Sequence, residues 1–391
     1  MSSAADRLPR IAAFSELRIP SAILGVDQIF EFLAATGICE FRASSSLEFR
    51  PEDLAWADSI ILVRGASQQE SRIQKEALRL GKRTAIYLDD DLENVPSTAS
   101  SALFFHTATA QKGLLSILKG ADLTLVTNEF LGHSLEKRHG VQATVLRQPR
   151  PAPPITPPQA ASEYGNTIRI GFLGSFDHHA FLEELLEKPV RKVQEKFGQQ
   201  VRFVFCGSAP AFAAAIGAEV IPYEMDFHAW RQRAAGLGID IGLAPLPSAD
   251  FHRAKYWNKY LEYGSLGIPG IYSEDSPNAT VVRSEQTGLI VPNEPEAWGN
   301  AIERLIRDEG FRADLGRAAA QDVESRFSEK ALASQWRDAV QPLLAHRAPA
   351  TETSAIRIAQ GPWQHWRDRY ALYGARRTIA MLRRRLQRRR G

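Results

Sequence analysis

A short basic stretch offers the clearest chemistry in this sequence. Residues 251–269 read FHRAKYWNKYLEYGSLGIP and contain Arg253, Lys255, Lys259 and Glu262. Guanidinium and ammonium groups at the entry of a helix add to the positive end of its dipole, so this pattern favours binding of a pyrophosphate. We interpret the stretch as a grip for a nucleoside diphosphate, in which Glu262 could reach a ribose hydroxyl.

A buried strand must present this basic stretch. Residues 240–247, DIGLAPLP, form a short apolar run that ends in prolines, which is typical of a strand in a parallel sheet. Open parallel sheets bind their ligands just past the carboxyl ends of the strands. The helix that carries Glu262 is expected to end at Gly267, before Pro269.

Three ordered segments around this stretch carry a family resemblance. They are LEYGSLGIP at 261–269, IYSED at 271–275 and TGLIVPNEPEAW at 287–298. Together they resemble the family-four-like carboxyl domain of GT-B glycosyltransferases, the glycosyl transferases group 1. The resemblance implies two Rossmann-like doubly wound domains that face a cleft. Many members carry two glutamates separated by seven residues, but Ala254 occupies the place of the first here, beside basic residues that resemble the variant with a lysine.

A loop of small residues is the second candidate element. TIRIGFLGSF at 167–176 reads as a strand and a loop, and the amides of Gly174 and Ser175 could approach a phosphate without a Cβ in the way. The resemblance places such a loop in the donor site and Tyr223 near the nucleotide base, although a rim or core position fits Tyr223 equally well. For His178 both a solvated position and a contact with donor or acceptor stay open.

Three consecutive acids, Asp89, Asp90 and Asp91, end the predicted strand at 84–90. They fit a solvated turn that caps the next element, a site that binds the acceptor or removes a proton from a sugar hydroxyl, or a divalent-metal site. The resemblance implies a metal-independent reaction, so we expect no metal and no cofactor, with the nucleoside-diphosphate sugar as co-substrate. His106 lies between aromatic residues and is expected to be packed.

Strand and helix signals alternate along the chain, which predicts an α/β fold. Strands are expected at 11–16, 59–65, 84–90, 121–128 and 143–148, and helices at 26–36 and 68–80. The first strand is followed by SELRIPSAILG, which excludes the glycine-rich dinucleotide-binding turn. We predict an acceptor-side domain at 1–148, a proline-rich linker at 149–164, a nucleotide-sugar-binding domain at 165–345 and a basic helical tail at 346–391.

The charge is distributed unevenly. Residues 351–391 hold eleven Arg against Glu352 and Asp368, a net +9, so the total of +3 leaves the other residues at 3 minus 9, or -6. An acidic body lacks the basic footprint of a nucleic-acid-binding domain, so we expect no nucleic-acid partner. Cys39 and Cys206 are too few for a disulfide framework and are expected to be reduced core residues.

The expected location is cytoplasmic, because MSSAADRLPR lacks the apolar run of a signal peptide and no segment has the roughly 20 apolar residues of a spanning helix. In the tail, Trp363, Trp366, Tyr370 and Tyr373 recur at helical spacing among arginines. This composition suits peripheral contact with the inner membrane face, docking on a protein partner or back on the amino-terminal domain, or a solvated basic tail, with a nucleic-acid contact the least favoured.

The resemblance implies a glycosyltransferase that moves a sugar from a nucleoside diphosphate to a hydroxyl of a glycan, lipid-linked saccharide or protein, with retention favoured, in cell-surface glycan synthesis. We expect Lys255, Glu262, Asp89 and Asp91 to act in catalysis. We expect Gly174, Ser175, Arg253, Lys259, Tyr223 and His178 to bind the donor. The alternatives are a non-catalytic nucleotide- or glycan-binding protein of this fold and a nucleotide-sugar epimerase.

Overall fold

The structure is a computed structural model that describes residues 7–16, 19–99, 101–152, 165–174, 178–224 and 226–358. It divides into two compact units: unit 1 comprises Met1–Arg147 and Ala333–Gly391, and unit 2 comprises Gln148–Leu332. Each unit contains one six-stranded sheet. This confirms the predicted α/β class with two doubly wound domains. Most of the predicted linker, Ser175 and the predicted tail beyond residue 358 lie outside the described residues.

Unit 1 is built on a sheet in which every strand is parallel to its neighbours. Its strands are β1 (Arg10–Ser15), β2 (Glu40–Ser45), β3 (Ser59–Val63), β4 (Arg83–Leu88), β5 (Leu123–Val126) and β6 (Thr144–Val145). They are ordered β2-β1-β3-β4-β5-β6. The helices are α1 (Pro20–Ala22), α2 (Gln28–Ala35), α3 (Pro51–Trp56), α4 (Gln68–Arg79), α5 (Ala102–Phe105), α6 (Ala108–Gly120) and α7 (Glu129–His139), with a π-helical segment at Ile23–Asp27.

Unit 2 has the same architecture around a central β7. Its strands are β7 (Ile168–Leu173), β8 (Val201–Cys206), β9 (Glu219–Ile221), β10 (Ile241–Ala244), β11 (Gly270–Ser273) and β12 (Leu289–Val291), in the order β12-β11-β10-β7-β8-β9. Its helices are α8 (His179–Phe197), α9 (Phe227–Ala235), α10 (Asp250–Arg253), α11 (Asn258–Gly264), α12 (Pro295–Arg307) and α13 (Glu309–Phe327). Apolar clusters bury both faces of the sheet, which explains why its strands read as continuous apolar runs.

The last two helices, α14 (Glu329–Ala339) and α15 (Gln341–Leu344), complete the described secondary structure together with a few 3₁₀ turns. The sequence had grouped residues up to 345 with the nucleotide-binding domain, whereas the contacts place Ala333 onward in unit 1. Trp336 is the reason. Its fully buried ring stacks on Tyr87 at 6.3 Å and meets Phe30 edge-on at 6.1 Å, and its Nε1 donates to the carbonyl of Arg147 at 2.7 Å.

Sequence patterns located most elements but not all of them. The helix expected at 68–80 is α4, whose first turn is fixed by a capping box between Ser67 and Glu70. The sequence did not indicate β2, because this edge strand, EFRASS, is only partly buried along most of its length and lacks apolar alternation. In the described ranges, no helix is both long enough and apolar enough to cross a membrane.

Candidate functional site

The carboxyl edge of the unit 2 sheet is formed by backbone that tolerates no added carbon. Gly207 follows β8 at φ +75°, in the left-handed region that favours glycine, and its N–H donates to the carbonyl of Ile221 at 2.9 Å. A Cβ on Gly207 would lie 1.9 Å from the carbonyl oxygen of Gly174. The backbones of the two loops after β7 and β8 are therefore in contact, and the N–H of Gly174 donates to the carbonyl of Cys206 at 3.1 Å. This bond occupies the amide that was expected to approach a phosphate.

Tyr223 lies beside this pair of glycines. Its Cδ2 would be 3.2 Å from a Cβ on Gly207, and the side chain is 43% exposed. An exposed phenol ring at the carboxyl edge of a parallel sheet offers a flat apolar face to a ligand bound there. The structure thus places Tyr223 on the rim rather than in the core.

His178 immediately precedes α8. Its ring centroid is 5.7 Å from that of Phe172 in an edge-on arrangement, and the side chain is half-buried. Phe172 is itself a buried residue of β7, so the imidazole is positioned by the core beneath it. His178 therefore sits at the amino end of a long helix, where the helix dipole favours a bound anion.

The loop after β10 is held by two polar side chains from neighbouring strands. The N–H of Leu246 donates to Ser273 Oγ at 2.8 Å, and Ser273 Oγ donates to Asn293 Oδ1 at 2.6 Å. Asn293 Nδ2 closes the ring by donating to the Leu246 carbonyl at 2.9 Å. These contacts give the VPN part of the segment at 287–298 a structural role, because they fix the start of the basic stretch.

The cations of the basic stretch occupy different environments. Arg253 ends α10 with its side chain half exposed, and its Nη1 lies 3.9 Å from Asp250. The Nζ of Lys255 lies 4.5 Å from the ring centroid of Phe251, which places a cation over an aromatic face. Both groups are at least partly accessible to solvent in the segment that follows β10 in the chain, and the carboxyl ends of parallel strands are where ligands such as phosphates bind.

Lys259 and Glu262 lie together on α11. The Lys259 Nζ donates to Glu262 Oε2 at 2.6 Å, and the two side chains are 24% and 14% exposed. Glu262 Oε1 makes no hydrogen bond to any residue in the described ranges. The lysine thus fixes the carboxylate in one orientation while one oxygen stays available to accept a hydrogen bond.

Buried tyrosines anchor α11 against the sheet, and sequence reasoning did not identify them. Tyr263 is fully buried, donates to the carbonyl of Leu243 at 2.7 Å and accepts the N–H of Leu173 at 3.3 Å. One hydroxyl therefore joins the ends of β10 and β7 to the helix that carries Glu262. Gly242 leaves space for this ring, since a Cβ there would lie 2.7 Å from it.

The three consecutive acids of unit 1 are all paired with arginines. Arg64 Nη1 donates to Asp89 Oδ1 and to Asp90 Oδ2, each at 2.6 Å. Arg138 donates to both oxygens of Asp91 at 2.8 Å. Burial alone would lower the pKa of Arg64, but the charges of Asp89 and Asp90 raise it above its usual value.

This acid cluster differs from the solvated turn considered from the sequence. Asp89 and Asp91 are each only 4% exposed, and Asn94 also donates to Asp91 at 2.8 Å. His106 is exposed rather than packed as expected, and its Nε2 lies 2.7 Å from the carbonyl of Val95. Across the described ranges, no group of three or more His, Cys, Asp or Glu side chains is arranged to hold a metal ion.

Both cysteines are buried free thiols. Burial raises the pKa of Cys39 to about 11 and that of Cys206 to about 12. At neutral pH both thiols therefore stay protonated, which does not suit a nucleophile or a metal ligand.

Comparison with known proteins locates a family domain in unit 2. Residues 167–308 match the family model described as glycosyl transferases group 1. An exopolysaccharide phosphotransferase of Streptomyces coelicolor is 29% identical over 109 residues, which is 26% of this chain and 12% of that protein. The match thus spans a small part of that curated relative.

Solved structures resemble nearly the whole chain. Sucrose-phosphate synthase from Thermosynechococcus elongatus has a TM-score of 0.59 at 14% identity, over 86% of this chain and 99% of that one. HepE of Anabaena, solved with UDP and glucose, has a TM-score of 0.59 at 12% identity, over 86% and 100%. An alpha-glucosyltransferase in complex with UDP and DNA has a TM-score of 0.59 at 13% identity, over 85% and 99%.

At such identities the structural likeness establishes the fold, and the family match concerns residues 167–308 of unit 2. Both agree with the resemblance that the segments at 261–269, 271–275 and 287–298 had indicated. Residues 167–308 therefore match the glycosyl transferases group 1 family within a chain of the GT-B fold.

Proposed function

We propose that this protein is a glycosyltransferase that moves a sugar from a nucleoside-diphosphate donor to a hydroxyl acceptor during synthesis of a cell-surface glycan. The observation that carries the proposal is the cationic loop of the group 1 domain, where Arg253 and Lys255 lie past the end of β10. HepE and the alpha-glucosyltransferase were both solved with UDP, which supports uracil as the first base to test.

The chemical step requires stabilisation of the diphosphate as it leaves the sugar. Lys255 and Arg253 supply positive charge for this role. The small loop contributes shape rather than an amide donor at Gly174, because the N–H of Gly174 is bonded to the carbonyl of Cys206. These groups replace the charge that a metal would bring, so we propose a metal-independent reaction. Glu262, oriented by Lys259, accepts a ribose hydroxyl at Oε1, and Tyr223 stacks on the base.

We assign acceptor recognition to unit 1. Asp89 and Asp91 already accept hydrogen bonds from arginines, and these arginines compete for the lone pairs that a general base would use. The two carboxylates therefore do not suit removal of a proton from the acceptor, and we propose that their arginine pairs hold the segment after β4 in place for acceptor recognition. A cluster that does not supply a general base is compatible with the retaining outcome that the group 1 resemblance favours.

Replacing Lys255 by Ala should weaken binding of the preferred nucleoside diphosphate by about 5- to 150-fold, corresponding to roughly 1 to 3 kcal/mol for a lost charge-assisted hydrogen bond. Calorimetric titration, after a thermal-shift screen with UDP, GDP, ADP, CMP and dTDP, measures the change. Lys330→Ala removes an exposed lysine of α14 and serves as the control. If no nucleotide raises the melting temperature at millimolar concentration, the grip assignment is wrong.

Donor hydrolysis and product analysis separate transfer from the alternatives. A transferase should slowly release the free sugar from its nucleotide sugar, an epimerase should interconvert two nucleotide sugars, and a binding protein should do neither. With an acceptor, NMR of the anomeric proton reports retention or inversion. Full activity in EDTA is the expected result for the metal-independent reaction proposed here.

We further propose that residues 359–391 bring the protein to an anionic membrane surface. They hold ten Arg against Asp368, ten minus one or a net +9, with four interleaved Trp and Tyr residues. Each arginine near an anionic surface contributes about 1 kcal/mol, and Trp and Tyr favour the interfacial zone. Enzymes that extend lipid-linked glycans act at such a surface.

Liposome flotation should show salt-sensitive binding of the full chain to anionic vesicles and none for a chain that ends at Ile358. The cut follows Ile358 because the preceding residues belong to unit 1: Arg357 N donates to Glu76 at 2.6 Å and the carbonyl of Ala355 accepts from Arg79 at 2.7 Å. A double variant, Trp363→Ser with Trp366→Ser, keeps the charge of the tail and measures how much the two indole rings contribute to vesicle binding. Failure of the full chain to float at low salt would exclude the membrane role.

A further inference from the structure

Unit 1 contains a cavity that the proposed reaction does not use. It has a volume of about 410 Å³ and opens at the amino ends of β1 and β3. The carboxyl ends of the strands lie at the opposite edge, about 20 Å away for a strand of six residues. Its polar walls include Arg7, Arg10, Glu52, Trp56, Thr351 and Thr353. The volume lies within the range of small-molecule sites, roughly 300 to 1,000 Å³.

The floor of the cavity is a buried, fully paired carboxylate. Asp58 is 1% exposed and accepts four hydrogen bonds, two at 2.6 Å from Arg7 and one each at 2.9 Å from the N–H groups of Arg10 and Ala348. The carboxylate of Asp58 is therefore paired within the protein and is not available to a ligand. Beneath it, the buried Lys82 donates to the carbonyl of Ala57 at 2.5 Å.

Two further guanidinium groups flank the indole of Trp56. Arg10 lies 5.7 Å and Arg42 4.2 Å from the ring centroid. Arg10 Nε donates to Glu40 Oε2 at 3.3 Å. Its Nη1 and Nη2 make no hydrogen bond to residues in the described ranges. Arg42 has its nearest carboxylate, Asp53, at 3.9 Å. A forked donor with two amino groups available matches a carboxylate or phosphate in a bidentate pair.

The other side chains are suited to hydroxyl groups. Glu52 is exposed and can accept hydrogen bonds, and the Thr353 hydroxyl can donate and accept. Thr351 donates its hydroxyl proton to the carbonyl of Pro349 at 3.1 Å, so its Oγ1 can accept. An anion receptor beside an aromatic ring, with acceptors and hydroxyls around it, fits a polyhydroxylated ring that carries one negative group. Neutral sugars would leave the Arg10 fork without a partner, and simple anions would leave the hydroxyl-binding side chains unused.

We propose that this cavity binds an acidic sugar residue, with its carboxylate held by Arg10 beside Trp56 and its hydroxyls held by Glu52, Thr351 and Thr353. The site is separate from the donor grip of unit 2 and does not require the transfer activity. It gives the protein a second point of contact with an acidic glycan.

The test is saturation-transfer NMR and calorimetry on the full chain with a uronic acid oligosaccharide, the matching neutral oligosaccharide and a sugar phosphate. We expect saturable binding of the uronate and at least tenfold weaker binding of the neutral sugar. Arg10→Gln should weaken uronate binding by roughly tenfold, since it removes the charged fork but keeps the backbone N–H that binds Asp58.

Two variants control the site assignment. Arg83→Gln changes an exposed arginine at the same edge of the same sheet, which does not line the cavity, and should leave binding intact. Lys255→Ala should also leave it intact, which distinguishes this site from the donor grip. Absence of saturable binding, equal binding of the neutral sugar, stronger binding of the sugar phosphate, or equal losses in Arg10→Gln and either control would overturn the proposal.

Discussion

An Arg64→Met protein should lose about 3 to 5 kcal/mol of unfolding free energy, the loss expected when one partner of a buried ion pair is removed. Arg64 is the cation that neutralises Asp89 and Asp90, and the side chains of these three residues are 15%, 5% and 17% exposed. Removing it leaves two carboxylates with little access to water. Urea denaturation followed by circular dichroism measures the change in the transition of unit 1.

The matched control is Arg83→Met, which breaks the exposed pair between Arg83 and Asp122 at the start of β4. Arg83 is 52% exposed, so this change should cost less than about 1 kcal/mol. A loss in Arg64→Met no larger than in the control would mean that the acid cluster does not depend on its arginine.

The backbone of Arg64 provides a second comparison. Its φ is +55°, which is unusual for a residue with a side chain. Arg64→Gly removes the ion pairs and the strain together, whereas Arg64→Ala removes the ion pairs alone. The alanine variant should therefore be less stable than the glycine variant by about 1 to 2 kcal/mol.

Gly207→Ala should lower the unfolding free energy by roughly 2 to 5 kcal/mol and abolish the thermal shift produced by the nucleotide. An alanine there adopts φ +75° and places its Cβ 1.9 Å from the carbonyl oxygen of Gly174, so the loops after β7 and β8 must separate. Those loops form the candidate phosphate-binding surface. Melting curves with and without the nucleotide report both effects.

Gly217→Ala separates the effect of backbone strain from the effect of a steric clash. Gly217 also has a positive φ, +64°, but the nearest atom to an added Cβ is 3.9 Å away. This variant should lose only the roughly 1 to 2 kcal/mol of backbone strain and keep the nucleotide response. Equal behaviour of the two variants would show that contact between the two loops is unimportant.

The sequence predicted elements whose residues are set by burial. The strands of unit 2 are covered on both faces, so continuous apolar runs such as IRIGFL and VRFVFC identify them. Short or exposed elements left weaker signals: β2 is a polar edge strand, and β12 has only three residues. Partial burial removes the periodicity on which such predictions depend.

The candidate site was predictable in residue type but not in pairing. The basic stretch and Gly174 were located from charge and from the absence of a Cβ, both of which are visible in one sequence. The pairing of Lys259 with Glu262 follows from helical spacing. By contrast, Arg64 with Asp89 and Asn293 with Leu246 meet only because distant strands end side by side. No local pattern records such contacts.

The position of Trp336 has a consequence for how the chain folds during synthesis. Unit 1 is assembled from two separated stretches of the chain. Its core includes the ring of Trp336, which packs on Tyr87 and Phe30 although about 250 residues or more separate it from them in sequence. Unit 2 is continuous in sequence, so it can complete its own core as soon as it has left the ribosome. The amino-terminal sheet must wait, with apolar surface uncovered, until α14 emerges. Synthesis therefore reverses the order of the units: the second to be made is the first that can finish folding.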